Sequence, residues 1–164
     1  MRRAEIDAFC GSRETLYQRI AFFAAPAILL AGIVFVAVRY AQLPAEIPSH
    51  YDFYGEVDSY GSRASLWVMP VIGIVCDAVM LAVSFFPQLW NVGTSVTALN
   101  RALVYRRVRD LIADLRLSIA VMFTAFAVWQ TTLSPTFPWW MGVLIGVCCT
   151  APLVRFFVRL AINK

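Results

Sequence analysis

The sequence predicts an all-α membrane protein, a bundle of four transmembrane helices with both termini cytoplasmic. Three observations carry that expectation. Of 164 residues, 60% are hydrophobic and 15% charged, whereas soluble domains hold about a quarter charged and roughly half apolar residues. The apolar excess falls in four runs, approximately 18–39, 65–86, 115–133 and 137–158. Each approaches the roughly 20 residues that cross a hydrocarbon core at about 1.5 Å per residue. Basic residues are segregated: all but Arg39 and Arg63 of the 14 Lys and Arg lie toward the end of the runs that carries both termini and the second connection. Basic connections stay cytoplasmic, which fixes the expected orientation in a cell membrane.

The first run is too long for a signal-peptide core of about 7–15 residues, and Arg39 follows it. Glu5, Asp7 and Glu14 also dilute the charge of the leader, so an uncleaved first span is expected. Tyr40, Trp67, Trp129, Trp139 and Trp140 gather at the outer boundary and Tyr17 and Trp90 at the inner, as interfacial aromatics do. Cys10, Cys76, Cys148 and Cys149 suggest no disulfide framework, being cytoplasmic or within spans.

Residues 41–64 form the one extended polar segment outside, with Glu46, Asp52, Glu56 and Asp58 against Arg63. Pro44 and Pro48 favour extended backbone before them, and Gly55 and Gly61 supply turns, so the loop is expected to be ordered. His50, the single histidine, lies near three of the acids. Without a second histidine or thiolate no metal site is predicted. His50 and Asp58 then either hold the loop's shape or contact a ligand.

Asp77 falls in the middle of the second run, where a charged carboxylate costs at least a few kcal/mol. It reads as a proton or ion pathway residue, or as a neutral acid hydrogen-bonded to a neighbour such as Thr124 or Gln130. From Ser95 onward, Val96, Leu99, Leu103, Val104, Val108, Leu111, Ile112 and Leu115 recur at helical spacing, with Arg101, Arg106, Arg109 and Asp110 opposite. This basic amphipathic inner segment lies in the headgroup plane, or extends the third span. Arg101, Arg106, Arg107 and Arg109 are its candidate contacts with lipid or a cytoplasmic partner. Ser134–Pro138 makes a tight third connection, and Gly142 and Gly146 form a GxxxG spacing for packing within the monomer or between copies.

No Ser/His/Asp set, phosphate-binding Gly-rich loop or HExxH motif occurs. No enzyme activity and no cofactor are therefore predicted. Nucleic acid is not an expected partner either, since the basic stretch matches no DNA-binding motif.

Residues 43–70, LPAEIPSHYDFYGEVDSYGSRASLWVMP, resemble the bacterial membrane domain of unknown function at the N-terminus of SdpI-type immunity proteins. The shared pattern falls on Pro44, Ile47, Pro48, His50, Gly55, Asp58, Gly61 and Pro70. Pro87, Asn91 and Asn100 match a further pattern that enters the basic segment, and the likeness spans about residues 20–115. Tyr51 stands where the family has Phe, and Arg63 where Lys is common. The resemblance implies immunity to a secreted toxin or signal transduction through a cytoplasmic regulator. The expected function is thus non-enzymatic sensing, binding or toxin immunity through the outer loop of a single domain, 1–164. The alternative is a small transport or permease component using Asp77.

Overall fold

The computed structural model describes residues 2–92 and 95–162; Lys164, one of the basic residues used above, lies outside them. A short helix α1 (Arg3–Cys10) ends at Gly11, whose φ of 69° is a left-handed cap that glycine adopts without strain. Thr15 then caps α2 (Leu16–Tyr40), its hydroxyl accepting from the Gln18 amide while the Gln18 side chain accepts from the Thr15 amide. After the polar segment come α3 (Val68–Ser84), α4 (Arg101–Gln130) and α5 (Trp139–Ile162). With the 3-10 turn Arg63–Trp67 joined to α3, four helices are long and apolar enough to span a membrane. That is the architecture of a multi-pass membrane protein.

One expectation is corrected and one alternative is decided. The chain is mostly helical, not all-α. Residues 46–62 form an antiparallel hairpin of β1 (Glu46–Tyr51) and β2 (Val57–Ser62). Pro44 and Pro48 bias the chain toward extended backbone, Gly55 turns it at a φ of 84°, and Gly61 passes close to Ser49. Of the two readings of the basic stretch, extension of the third span is the one the structure shows. The stretch forms the first turns of α4, which begins at Arg101 rather than near 115 because no Gly or Pro interrupts Arg101–Gln130.

Helix α4 is central, packing against α2, α3 and α5, while α2 and α3 touch one another sparsely. Glycines set two of these contacts. A Cβ on Gly32 would lie 2.9 Å from Thr124 Cγ2, and one on Gly73 would lie 2.9 Å from both Leu29 Cδ2 and Phe123 Cβ. Gly73 therefore marks the point where α2, α3 and α4 converge. By contrast, among the described residues a Cβ on Gly142 or Gly146 meets no atom beyond its own helix backbone within 4 Å, so the GxxxG pair makes no close contact inside the monomer there. Gly73→Ala is expected to cost about 1–3 kcal/mol by overpacking, and Gly142→Ala nothing. Thermal unfolding of both variants in detergent checks this, and equal melting temperatures would contradict the convergence at Gly73.

Candidate functional site

The hairpin is bolted to one end of the bundle by its apolar residues. Ile47 and Leu66 are fully buried and cluster with Leu43, Val36 and Ala127. Arg63 donates to the Leu43 carbonyl at 3.0 Å, and its guanidinium lies 4.8 Å from the centre of the Tyr40 ring. The α4–α5 connection locks the other side: Val57 donates to the Pro135 carbonyl and Phe137 to that of Gly55. Tyr51 donates to the Ser134 carbonyl at 2.9 Å and packs against Trp129 and Phe137. Burial pushes the Tyr51 phenol up from its ordinary range, which keeps it a donor. Tyrosine at this position thus adds a hydrogen bond that phenylalanine cannot make.

The opposite face of the hairpin is displayed. Phe53 and Tyr54 at the turn are 98% and 87% exposed, and Tyr60 is 65% exposed. The turn beneath them is fixed by Asp52, whose carboxylate accepts from the Tyr54 and Glu56 amides. Register slips on both sides of His50, and bulges of this kind re-aim side chains. There the His50 Nδ1 and an Asp58 carboxylate oxygen come within 2.6 Å, both exposed. Among the described residues no group of three His, Cys, Asp or Glu is arranged to hold a metal.

Of the remaining motif positions, Pro48 is half-buried in β1 and Pro44 is exposed at the approach to it, while Pro70 is buried in the first turn of α3. Pro87 is buried where α3 ends. Asn100 accepts from the Thr97 amide and donates to the Ser95 carbonyl, shaping the entry to α4. Asn91 lies in the same connection. These residues place the elements around the hairpin and α4 and do not converge with His50.

At the other end of the bundle the charges pair across helices. Asp77 is buried, and Arg116 holds it with two bonds of 2.7 and 3.0 Å. The partners suggested by composition are engaged elsewhere or unmatched. Thr124 donates to the Ile28 carbonyl, and Gln130 Oε1 has no hydrogen bond among the described residues. Asp114 takes Tyr17 and Arg155, and Asp110 takes Gln18 and Arg159, so two acids one helical turn apart on α4 match two arginines one turn apart on α5.

The candidate lipid contacts divide accordingly. Arg106 is exposed and Arg101 half-buried over the Phe9 ring. Arg107 is buried, and Arg109 is turned inward to Asp7 at 2.7 Å and to the Ser12 carbonyl. For these last two the expectation of a lipid-facing side is corrected: Arg107 is enclosed in the bundle, and Asp7 of α1 covers Arg109. Cys10 is fully buried. Burial also pushes its thiol up, away from nucleophilic use.

Sequence reasoning missed three things. The exposed aromatics carried a signal, two adjacent rings in an Asp/Gly turn. The Asp110/Asp114 and Arg155/Arg159 spacing was legible as matched i, i+4 pairs. Nothing local connects Asp77 with Arg116, 39 residues apart.

Residues 27–74 match the family described as a domain of unknown function, DUF1648. The match runs from the middle of α2 through the hairpin into α3, the stretch that carries the proline, histidine and glycine pattern. A protein of Archaeoglobus fulgidus described as uncharacterized is 26% identical over 140 residues, covering 76% of each chain. No solved structure matches. The chain is thus similar to proteins of unknown function, and immunity is named in neither match.

Proposed function

We propose that the chain is a non-enzymatic membrane protein that binds a ligand outside the cell through the hairpin, with both termini in the cytoplasm. One observation carries the reading: a hairpin clamped to the bundle at several points displays Phe53, Tyr54 and Tyr60 to solvent. Exposed rings on a fixed turn shed unfavourable hydration and lose little conformational entropy on binding, which suits them to recognition. The His50–Asp58 pair lies on the same hairpin and adds a polar contact. The segregation of arginine supports the orientation, and the resemblance to immunity proteins supports an extracellular peptide or toxin as the ligand. A cytoplasmic regulator is the partner expected at the basic end. Self-association through Gly142 and Gly146 has an open face to use. Transport through Asp77 gains no support, because the carboxylate is committed to Arg116.

The test is survival of cells under a panel of membrane-active peptide toxins, comparing no protein, wild type, His50→Ala and Phe53→Ser/Tyr54→Ser at matched expression. Wild type is expected to protect and the hairpin variants to lose protection by at least tenfold in survivors. Absence of protection by wild type across the panel removes the immunity reading. Full protection by both variants removes the hairpin as its surface.

A further inference from the structure

A cavity of about 80 Å³ lies at the end of the bundle away from the hairpin, where α1 covers α2, the end of α3 and α4. Three arginines line it: Arg3 from α1, and Arg109 and Arg116 about two turns apart on α4. All three are held in place. Arg3 pairs with Glu14 at 3.3 Å, Arg109 with Asp7 at 2.7 Å, and Arg116 with Asp77 at 2.7 Å. A guanidinium has five N–H donors. The Ser12 carbonyl takes one more from Arg109 and the second Asp77 oxygen one more from Arg116, so each arginine retains donors beyond these.

The rest of the wall is largely apolar, with Phe22, Phe85 and Trp90 prominent. The Phe22 ring centre is 4.6 Å from the Arg3 guanidinium and 5.5 Å from that of Arg116, so both cations contact one aromatic ring. A ligand entering this space meets three preorganised guanidiniums and an apolar wall. The two lining acids, Asp7 and Glu14, are already taken by arginines. An organic cation is therefore disfavoured. A tetrahedral oxyanion on an apolar carrier fits, because arginine donors match phosphoryl oxygens.

We infer that this cavity binds a phosphoryl group, supplied by the headgroup of an anionic membrane lipid. The headgroup enters the cavity and its acyl chains stay in the bilayer beside the bundle. This site is separate from the hairpin and independent of the function proposed for it.

The experiment is thermal unfolding of the full chain in detergent, with phosphatidylglycerol, phosphatidylcholine, glycerol phosphate or inorganic phosphate added. Phosphatidylglycerol at ten times its Kd is expected to raise Tm by about 4 °C, and phosphatidylcholine by much less. A shift with phosphatidylglycerol alone identifies a lipid site. Equal shifts with inorganic phosphate confirm the phosphoryl chemistry and overturn the lipid as its source. Ser84→Phe fills the cavity from a residue whose hydroxyl bonds within its own helix, to the Leu81 carbonyl. Arg3→Gln removes one cation whose side chain is 48% exposed. Each is expected to abolish most of the shift, whereas Arg39→Gln, on the hairpin side of α2, keeps it. Should Ser84→Phe fail to fold, Arg3→Gln decides. The inference is overturned if no phosphoryl ligand shifts wild type, or if the folded cavity variants respond as wild type does.

Discussion

Arg116→Ala is expected to destabilise the protein by about 3–5 kcal/mol, the usual cost of breaking a buried ion pair by deleting one partner. Both side chains are almost completely enclosed, Arg116 at 4% and Asp77 at 8% exposure, so solvent screening of the pair is weak. The loss arises less from the missing attraction than from the carboxylate left behind, buried without its cation. Two further variants isolate that cause. Asp77→Asn leaves the membrane span intact, since it removes a charge from an apolar helix, yet it strands Arg116 and lowers stability in the same way. The double replacement Asp77→Leu/Arg116→Met removes both charges at similar volume and is expected to restore most of the loss. Denaturant or thermal unfolding in detergent measures all three. If the double variant is as unstable as the singles, the pair's role lies in packing rather than in charge compensation.

Ile47→Ala is the second large effect, at about 2–5 kcal/mol for a fully buried side chain. Ile47 has no exposed surface and joins the hairpin to Leu66, Val36 and Ala127. Its removal leaves a cavity between the hairpin and the ends of α2 and α4. The hairpin is then held mainly by Tyr51, Arg63 and the backbone bonds to the α4–α5 connection. Faster backbone amide exchange at residues 46–62 than in the helices is the expected signature. Loss of melting temperature with unchanged exchange in the hairpin would show that Ile47 serves the bundle alone. Because the hairpin is the proposed binding surface, the same variant is expected to weaken ligand binding without touching the exposed rings.

Much of this arrangement was legible from local signals. Four apolar runs of span length gave four helices of span length, because lipid leaves a backbone few ways to satisfy its own polar groups. Pro44, Pro48, Gly55 and Gly61 punctuate 41–64 in the sequence, but the β pairing of that segment was not legible from them. Two-stranded pairing in so short a polar segment depends on what covers one face, and Ile47 supplies the sole buried anchor within the strands. Periodicity left open whether the basic stretch stood apart from the third span or extended it; the structure makes it the first turns of α4, with Asp7 covering Arg109.

The sequence by itself determined the number and length of the apolar spans, the segregation of basic charge and the punctuation of the polar segment. All of these depend on the solvent each stretch meets and on neighbours a few residues away. Tertiary structure alone decided that Asp77 faces Arg116, that Gly73 rather than Gly142 bears close packing, and that Phe53 and Tyr54 stand exposed above a clamped hairpin. Those outcomes depend on which helix faces meet. A span that is apolar all round leaves that choice to side-chain volumes and to a few buried charges, neither of which a hydrophobic pattern encodes.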